Sequence, residues 1–346
     1  MKTFLLLFCL LFTLPLMGME FNAGSLSLEI HAQTGRFTLY HVSEDSDVGQ
    51  PLFYDRDPRT SYLSVIVDGR VYRLGDSSVF NTYLDAESGN PVLVFESNFI
   101  IVRKEFIFIQ SPAQRDIWGL GINISLENVG TGIISAGARY LLDINLSDSR
   151  SYTQVNTNFR NITGETLITR ADPDLFWADI GNGINFAGSI NTGSARDPDR
   201  VHFAAWQRFY ESPWEFPYRA DRNFTVLPYS IRDSAVTYYF DPAVISPGGR
   251  REIGFILAMD AFQIPYMARA NVERTAFFED QGQDMQTDFM ADLASLRDDS
   301  RERDLEEIRS IIARIDHYIA SGLASESEIN ELENTLNIIR QRYNIR

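Results

Sequence analysis

The four histidines are the side chains of this chain best suited to acid–base or metal chemistry, and they are widely separated. His31 and His41 lie on opposite arms of the first predicted β-hairpin, where they could come near one another. His202 and His317 lack a local partner at a spacing such as His-x-His. A metal site or an acid–base pair needs further ligands or a nearby carboxylate, and no local motif supplies them. The sequence therefore predicts no catalytic residue.

A short acidic segment is the candidate cation site. Asp143, Asn145 and Asp148 place oxygen-bearing side chains close together, as at the opening of a calcium loop. The sixth position, however, is Asp148 rather than glycine, and the twelfth is Gln154 rather than a bidentate glutamate. The apolar residues between these positions are typical of a strand end. A cation bridging Asp143, Asn145 and Asp148 remains a hypothesis.

Residues 203–218 hold the richest group of side chains suited to recognition. Aromatic rings are mixed there with charged residues and two prolines, which indicates a loop or an irregular edge rather than a regular strand. Exposed rings beside charged groups can stack on sugars or anchor a protein partner, or the rings can fold under the loop and cover the core. The candidate ligand-binding residues are Trp206, Arg208, Phe209, Tyr210, Trp214 and Tyr218, and Trp177 poses the same choice.

Several function classes are not supported by the sequence. No phosphate-binding Gly-rich loop, Gly-x-Ser-x-Gly or His-Glu-x-x-His motif is present, so we expect no cofactor. Among 47 acidic residues no catalytic carboxylate pair can be chosen, because glycoside hydrolysis needs a particular separation in space. The formal charge of −16 and the pI near 4.7 argue against a nucleic-acid partner.

The elements that must position any site are predicted to be strands. Residues 120–126 and 140–146 alternate apolar and polar side chains with a period of two, and Asp68-Gly69 between two such runs is a strong hairpin signal. So many strands without intervening helices are incompatible with a doubly wound parallel sheet. We predict a mainly β fold, with one large antiparallel β-sandwich of supersandwich type over residues 22–262.

Helical spacing replaces alternation after residue 262. Residues 263–303 are predicted to form a partly helical connector, and residues 304–346 an antiparallel helical hairpin that turns at Gly322. Its two apolar stripes are narrow, and each can be covered by the other, by the sandwich or by a second chain. The predicted assembly surface consists of Leu305, Ile308, Ile312, Ile315, Ile319, Ile329, Leu332, Leu336, Ile339 and Tyr343.

The first 18 residues have the pattern of a secretory signal peptide. One lysine precedes an apolar run of about a dozen residues, with a small residue near its end. We expect cleavage after Gly18, with Ala23 as the alternative, and no membrane-spanning segment afterwards, because Glu20 ends a run shorter than the ~20 residues of an anchor. Cys9 is the only cysteine, so a mature chain without disulfides fits a bacterial periplasm.

Two segments carry a resemblance to known proteins. Residues 137–143, with the sequence GARYLLD, are similar to a strand end of exported bacterial proteins of uncharacterised function, and residues 233–248 resemble a hairpin of the same proteins. With the strand count, residues 22–262 resemble the galactose-mutarotase-like supersandwich of the carbohydrate-binding superfamily. The resemblance implies this fold. It implies no catalytic residue, because no segment here matches the family's histidine motifs.

These observations lead to three expectations about function. The first is a non-enzymatic exported protein whose sandwich is a recognition surface, with the hairpin binding a protein partner or a second copy. The second is a carbohydrate-binding protein that uses the sandwich face and the aromatic loop. The third is a sugar epimerase or lyase, which requires His31 or His41 to line a pocket beside a carboxylate.

Overall fold

The computed structural model describes the chain from Gly18 to Ala261 with gaps, together with Ile264. The described residues are 18–43, 49–54, 58–86, 89–110, 117–144, 155–181, 184–215, 217–220, 222–228, 233–261 and 264. The predicted signal peptide up to residue 17, and the predicted connector and hairpin apart from Ile264, lie outside the described residues. No helix in the described ranges is long and apolar enough to cross a membrane.

The described chain is mainly β, and its strands form three sheets in which every pairing is antiparallel. The small sheet has the order β1 (Met19–Ala23), β2 (Leu26–His31), β3 (Arg36–His41) and β4 (Gln50–Pro51). The six-stranded sheet has the order β14 (Thr166–Thr169), β17 (Arg200–Ala205), β18 (Ser234–Ile245), β11 (Ile134–Asp143), β5 (Tyr62–Val67) and β6 (Arg70–Arg73).

The nine-stranded sheet is the largest of the three. Its order is β13 (Asn161–Ile162), β12 (Val155–Thr157), β15 (Phe176–Gly181), β16 (Ile184–Ser189), β19 (Arg250–Ala258), β10 (Ile117–Asn128), β9 (Ile100–Gln110), β8 (Val92–Glu96) and β7 (Asn81–Asp85). The described helices are short: a 3-10 turn at Pro58–Thr60 and the α-helix α1 (Trp206–Glu211).

The two large sheets face one another across a common core. Tyr238 of the six-stranded sheet stacks on Phe255 of the nine-stranded sheet with 4.2 Å between ring centroids. The Trp177 indole N–H donates a hydrogen bond of 2.6 Å to the Tyr238 hydroxyl, so the sheets are also joined by a polar contact. Phe37 of the small sheet packs against Phe106 of β9 and adds that sheet to the same core. The arrangement is sandwich-like, as the alternation predicts.

The turns show why the local sequence gives these hairpins. Asp68 and Gly69 both have positive φ angles, 49° and 80°, as the tight turn between β5 and β6 requires. The hairpin that residues 233–248 resemble is not formed as a pair of neighbouring strands of one sheet. The turn through Gly248 does connect two strands, but β18 belongs to the six-stranded sheet and β19 to the nine-stranded sheet. This connection therefore crosses from one layer of the sandwich to the other.

Candidate functional site

The outer face of the nine-stranded sheet is divided into an apolar half and a polar half. Successive side chains of a strand point to opposite faces, so Ile256, between two residues of the main core, points outward. With Ile109 and Phe176 it forms a separate buried cluster that includes Ala261 and Ile264 from beyond β19. Ala261 and Ile264 thus cover part of the apolar half.

The polar half has a shallow groove of about 100 Å³. Register and alternation bring its side chains from three neighbouring strands onto one face, since Asn123 of β10 lies beside Glu105 of β9 and Ser125 lies between Arg103 and Glu252. The groove is smaller than the pockets that enclose whole small molecules. A ligand longer than the groove would therefore lie along the surface of the sheet and would not be enclosed. The lining residues are Val92, Arg103, Glu105, Asn123, Ser125, Arg250 and Glu252.

Two polar side chains in the groove are buried without a hydrogen-bond partner. Asn123 is 6 % exposed and Ser125 is 5 % exposed, and in the described part of the chain neither Asn123 Nδ2 nor Ser125 Oγ has a partner. A buried polar group left unpaired costs about 1–3 kcal/mol, so such groups are rare in folded proteins. Both atoms therefore have an unused capacity for hydrogen bonding in the described part of the chain.

A glycine keeps the space beside Asn123 open. Gly254 of β19 is the register partner of Asn123, and a Cβ atom there would lie 2.7 Å from the Ile122 carbonyl oxygen and 3.2 Å from Asn123 Oδ1. Any larger residue would press on the strand backbone as well as on the asparagine. The absence of a side chain at Gly254 thus leaves room for the Asn123 side chain beside β19.

The charged groups of the groove differ in their pairing. Arg103 forms an ion pair with Glu127, and Arg250 forms one with Glu252. Glu105 instead accepts a hydrogen bond of 3.0 Å from the Asn90 side-chain amide. Across the described ranges, no arginine or lysine nitrogen lies within 4 Å of the Glu105 carboxylate. One carboxylate of the groove is therefore without a cationic partner.

The sequence analysis missed this site, although the sequence contains a signal for it. The period-two run from Leu120 to Leu126 predicts that these apolar residues face the core, and all four of its core positions are buried. The same alternation places Asn123 and Ser125 together on the opposite face. Two uncharged polar residues at the centre of a long strand, one residue apart, are the feature that could have identified the groove.

The aromatic loop, residues 203–218, is more regular than the sequence predicts, because Phe203 belongs to β17 and α1 follows it directly. Phe209 lies over the outer face of the six-stranded sheet, and the loop has both buried and exposed rings. Phe209 is fully buried and Trp214 is 9 % exposed, so these two rings cover the sheet. Trp206 is half-buried and stacks on Tyr210 with 4.8 Å between centroids. Tyr210 and Tyr218 are about 40 % exposed. For Phe209 and Trp214, burial favours the alternative in which the rings cover the sheet and do not contact a ligand. The exposed Tyr210 and Tyr218 remain candidates for binding.

Arginines and one buried glutamate hold the aromatic loop in place. Arg139 of β11 is buried and donates hydrogen bonds to the carbonyl oxygens of Phe209, Ser212 and Pro213 at the end of α1. The guanidinium therefore binds carbonyl groups in the last turn of α1 and just beyond its C-terminal end. Glu165, whose side chain is also buried, forms an ion pair with Arg208, with 2.5 Å between Glu165 Oε1 and Arg208 Nε. Arg208 therefore anchors the loop and is not free for a ligand.

Trp177 is not a surface residue. Its side chain is fully buried, and the indole ring lies edge-on to Phe186 and Phe203 at centroid distances of 5.6 and 6.4 Å. Its position on β15 points toward the core because it alternates with the outward-facing Phe176 and Ala178. Of the two alternatives considered for Trp177, burial therefore favours packing in the core over contact with a ligand.

The expected proximity of His31 and His41 is also wrong. In the β2–β3 hairpin, His31 pairs with Arg36 at the turn, whereas His41 pairs with Leu26 at the open end. The two register positions are five residues apart, roughly 17 Å along a strand. His31 Nε2 lies 3.8 Å from a Glu29 oxygen, and burial lowers the pKa of His41. An acid–base pair made of these two histidines is therefore not formed.

The predicted cation site can be followed only in part. Asp143 ends β11 and is 5 % exposed, and its backbone N–H donates to the Ser61 hydroxyl at 2.9 Å. Asn145 and Asp148 lie outside the described residues. Among the residues described, no group of three or more histidine, cysteine, aspartate or glutamate side chains could hold a metal ion. The cation bridge remains a hypothesis.

Comparisons with known proteins find structural neighbours alone. No protein-family model matches the chain, and no curated protein matches it. A galactose mutarotase-like protein from Clostridium acetobutylicum is 8 % identical, with 70 % of this chain and 94 % of that chain covered and a TM-score of 0.37. An α-N-acetylgalactosaminidase from Bifidobacterium bifidum is 10 % identical over 74 % of this chain and 39 % of that chain, with a TM-score of 0.43.

A polysaccharide lyase is a third neighbour, at 10 % identity and a TM-score of 0.42. The match covers 72 % of this chain, which spans about a third (34 %) of the length of the lyase. The galactose-mutarotase-like group indicated by the sequence resemblance thus recurs among the structural neighbours. At these TM-scores the likeness transfers neither an activity nor a site residue to this chain.

Proposed function

We propose that this chain is an exported, non-enzymatic carbohydrate-binding protein that holds a sugar chain along the polar half of its nine-stranded sheet. The single observation that carries the proposal is the groove with two buried, unpaired polar side chains, Asn123 and Ser125. Sites built on strands hold their side chains more precisely than sites built on loops. The groove therefore offers fixed hydrogen-bonding groups to a ligand that lies along the sheet.

The chemistry of the groove suits hydroxyl groups. Asn123 Nδ2 can only donate a hydrogen bond, Ser125 Oγ can donate and accept, and the Glu105 carboxylate can only accept. A sugar ring presents hydroxyls that both donate and accept, so it satisfies all three. An apolar ligand would leave the two buried groups unpaired and would lose affinity accordingly.

The test compares binding of the full-length protein and an Asn123→Ala/Ser125→Ala variant to a panel of soluble neutral polysaccharides by affinity electrophoresis. We expect binding to weaken by at least tenfold. The melting temperature should stay the same or rise, because the variant loses two unpaired buried groups. Loss of binding together with a large drop in melting temperature would contradict the proposal, since these side chains would then be structural.

A matched variant identifies which surface is used. Trp206→Ala/Tyr210→Ala removes the stacked rings of the aromatic loop without touching the groove. If sugar binds in the groove, this variant binds like the wild type. If only the aromatic-loop variant loses binding, the exposed rings hold the sugar instead, and the groove is not the site.

The proposal includes the assembly role expected from the sequence. We take the C-terminal hairpin to bind a protein partner or a second copy, and the periplasm to be the compartment. The two apolar stripes and the leader-like N-terminus support these statements.

A further inference from the structure

The charged side chains of the groove differ in whether an opposite charge lies beside them. Arg103 is neutralised by Glu127 and Arg250 by Glu252, both through direct contacts between guanidinium and carboxylate. Glu105 has the Asn90 amide, which carries no charge. The lining itself has two glutamates and two arginines, and Glu127, the ion-pair partner of Arg103 on the same strand as Ser125, adds a third carboxylate. The surplus is one negative charge, located beside the unpaired Asn123 amide.

The rest of the molecule adds to this negative field. The chain carries a formal charge of −16, so a ligand that brings further negative charge meets repulsion both at the groove and from the whole surface. An anionic ligand would also have to displace Glu127 or Glu252 from its arginine. A ligand with a positive group, in contrast, can approach Glu105 without breaking either ion pair.

We propose that the groove selects sugar chains with free amino groups, whose ammonium is bound by the Glu105 carboxylate; this inference rests on the proposed sugar-binding function. The ammonium donates a charge-assisted hydrogen bond to Glu105, which is stronger than a bond between neutral groups. Asn123 and Ser125 bind the hydroxyls of the same or the next ring. Since Glu105 is half-buried and its other partner is neutral, the interaction is less screened than that of an exposed surface pair.

The experiment uses the full-length protein and three oligosaccharides of equal length: a glucosamine hexamer, its fully N-acetylated counterpart and an oligogalacturonate. Binding is measured by titration calorimetry at mildly acidic pH, where the amines are protonated. Physiological salt is included because it screens attraction between the ligand and the overall charge of the protein. We expect the glucosamine hexamer to bind at least tenfold more tightly than the N-acetylated hexamer. The oligogalacturonate should bind most weakly of the three.

Two glutamine variants separate the local charge from the general one. Glu105→Gln should remove the preference for the free amine, and it should weaken binding of the glucosamine hexamer more than binding of the N-acetylated hexamer, because the glutamine side chain can still accept a hydrogen bond from a hydroxyl but has no charge for the ammonium. Glu96→Gln removes an exposed carboxylate of β8 outside the groove and should keep the preference. Equal effects of the two variants would show that the net charge, and not Glu105, attracts the amine.

The outcomes distinguish this inference from the proposed function. If both hexamers bind equally in the wild type, and Asn123→Ala/Ser125→Ala weakens both, the groove binds sugars but the amine preference is refuted. If the oligogalacturonate binds most tightly, the charge argument is wrong. If no oligosaccharide or polysaccharide binds, the proposed function itself fails.

Discussion

Lys104 lies in the centre of the sandwich with its side chain fully buried. Its ammonium donates hydrogen bonds to the Gly35 carbonyl oxygen at 3.0 Å and to the Tyr140 hydroxyl at 3.1 Å. The ring centroids of Phe37 and Phe106 lie 5.4 Å away, within the range of cation–π attraction. Burial lowers the pKa of this lysine well below its usual range, because water that would stabilise the charge is excluded. The residue joins β9 to β11 and to the small sheet.

His202 of β17 is the second buried titratable residue with a measurable consequence. The ring is 3 % exposed and lies 5.1 Å from the Tyr239 ring, and burial, followed by the neighbouring Arg200, lowers the pKa of His202 to about 4. The imidazole is therefore neutral in the folded protein at neutral pH. In the unfolded chain a histidine has a pKa of about 6.5.

This difference predicts a loss of stability in acid. Below pH 6.5 the unfolded chain takes up a proton that the folded chain does not accept until about pH 4, so the free energy of unfolding falls across this window. Between pH 7 and pH 5 the loss from this one group is about 2 kcal/mol. Urea denaturation at both pH values should show a smaller loss in His202→Gln than in the wild type. An identical loss in both proteins would mean that protonation of His202 is not opposed by the fold.

At the scale of secondary-structure elements, one polar contact between the two large sheets depends on a glycine. Gly188 of β16 is the register partner of Trp177, and a Cβ atom at this position would lie within 2.5 Å of Trp177 Nε1 and closer still to the Tyr238 hydroxyl. The missing side chain makes room for the tryptophan. The contact between Trp177 and Tyr238 therefore depends on Gly188 of β16 as well as on the two residues that form it.

Gly188→Ala should consequently lower the free energy of unfolding by about 1–3 kcal/mol, the usual cost of overpacking a core. The near-ultraviolet circular dichroism of the buried tryptophan should change as well. Gly132→Ala is the matched control, because a Cβ atom there meets nothing within 4 Å, and its effect should stay within about 0.5 kcal/mol. Equal stability of the two variants would contradict the tight packing of β16 against Tyr238.

At the scale of the whole molecule, alternation predicted most of the β fold and little of the site. Runs such as Leu120 to Leu126 identify core-facing residues because burial on one face leaves a period of two in the sequence. Alternation cannot show which sheet a strand joins, and the resemblance of residues 233–248 to a hairpin did not show that β18 and β19 lie in different layers. Alternation also does not predict that the Lys104 side chain is buried. Lys104 can point into the core because Gly35 and Tyr140, from other parts of the fold, accept hydrogen bonds from its Nζ atom.

The site was harder to predict because it is formed by residues distant in sequence. Glu105, Asn123 and Glu252 come together only through the register of β9, β10 and β19, which no local pattern specifies. The aromatic loop is conspicuous in the sequence, yet Arg139 and Glu165 hold part of it against the sheet, so Phe209 is buried. Composition marks where rings are concentrated, while tertiary contacts decide which of them remain exposed.

The predicted C-terminal hairpin is the feature that would connect this chain to others. Its stripes are narrow, and two helices alone bury little apolar area and gain from a third or fourth. In light scattering, the full-length protein should therefore show a mass above that of the 39.4-kDa chain, or a partner should be recovered by cross-linking in the native envelope. Deletion of residues 300–346 should abolish either result.

Point variants keep the chain length constant in this test. Ile312→Arg/Leu336→Arg places a charge in each predicted stripe, where an interface would exclude it from water at a cost of several kcal/mol. Ser310→Arg/Asn337→Arg adds the same charges outside the stripes and should leave the mass and the partner unchanged. If the stripe variant and the deletion both keep the mass and partner of the wild type, assembly does not use these residues, and the sandwich must supply any contact with other molecules.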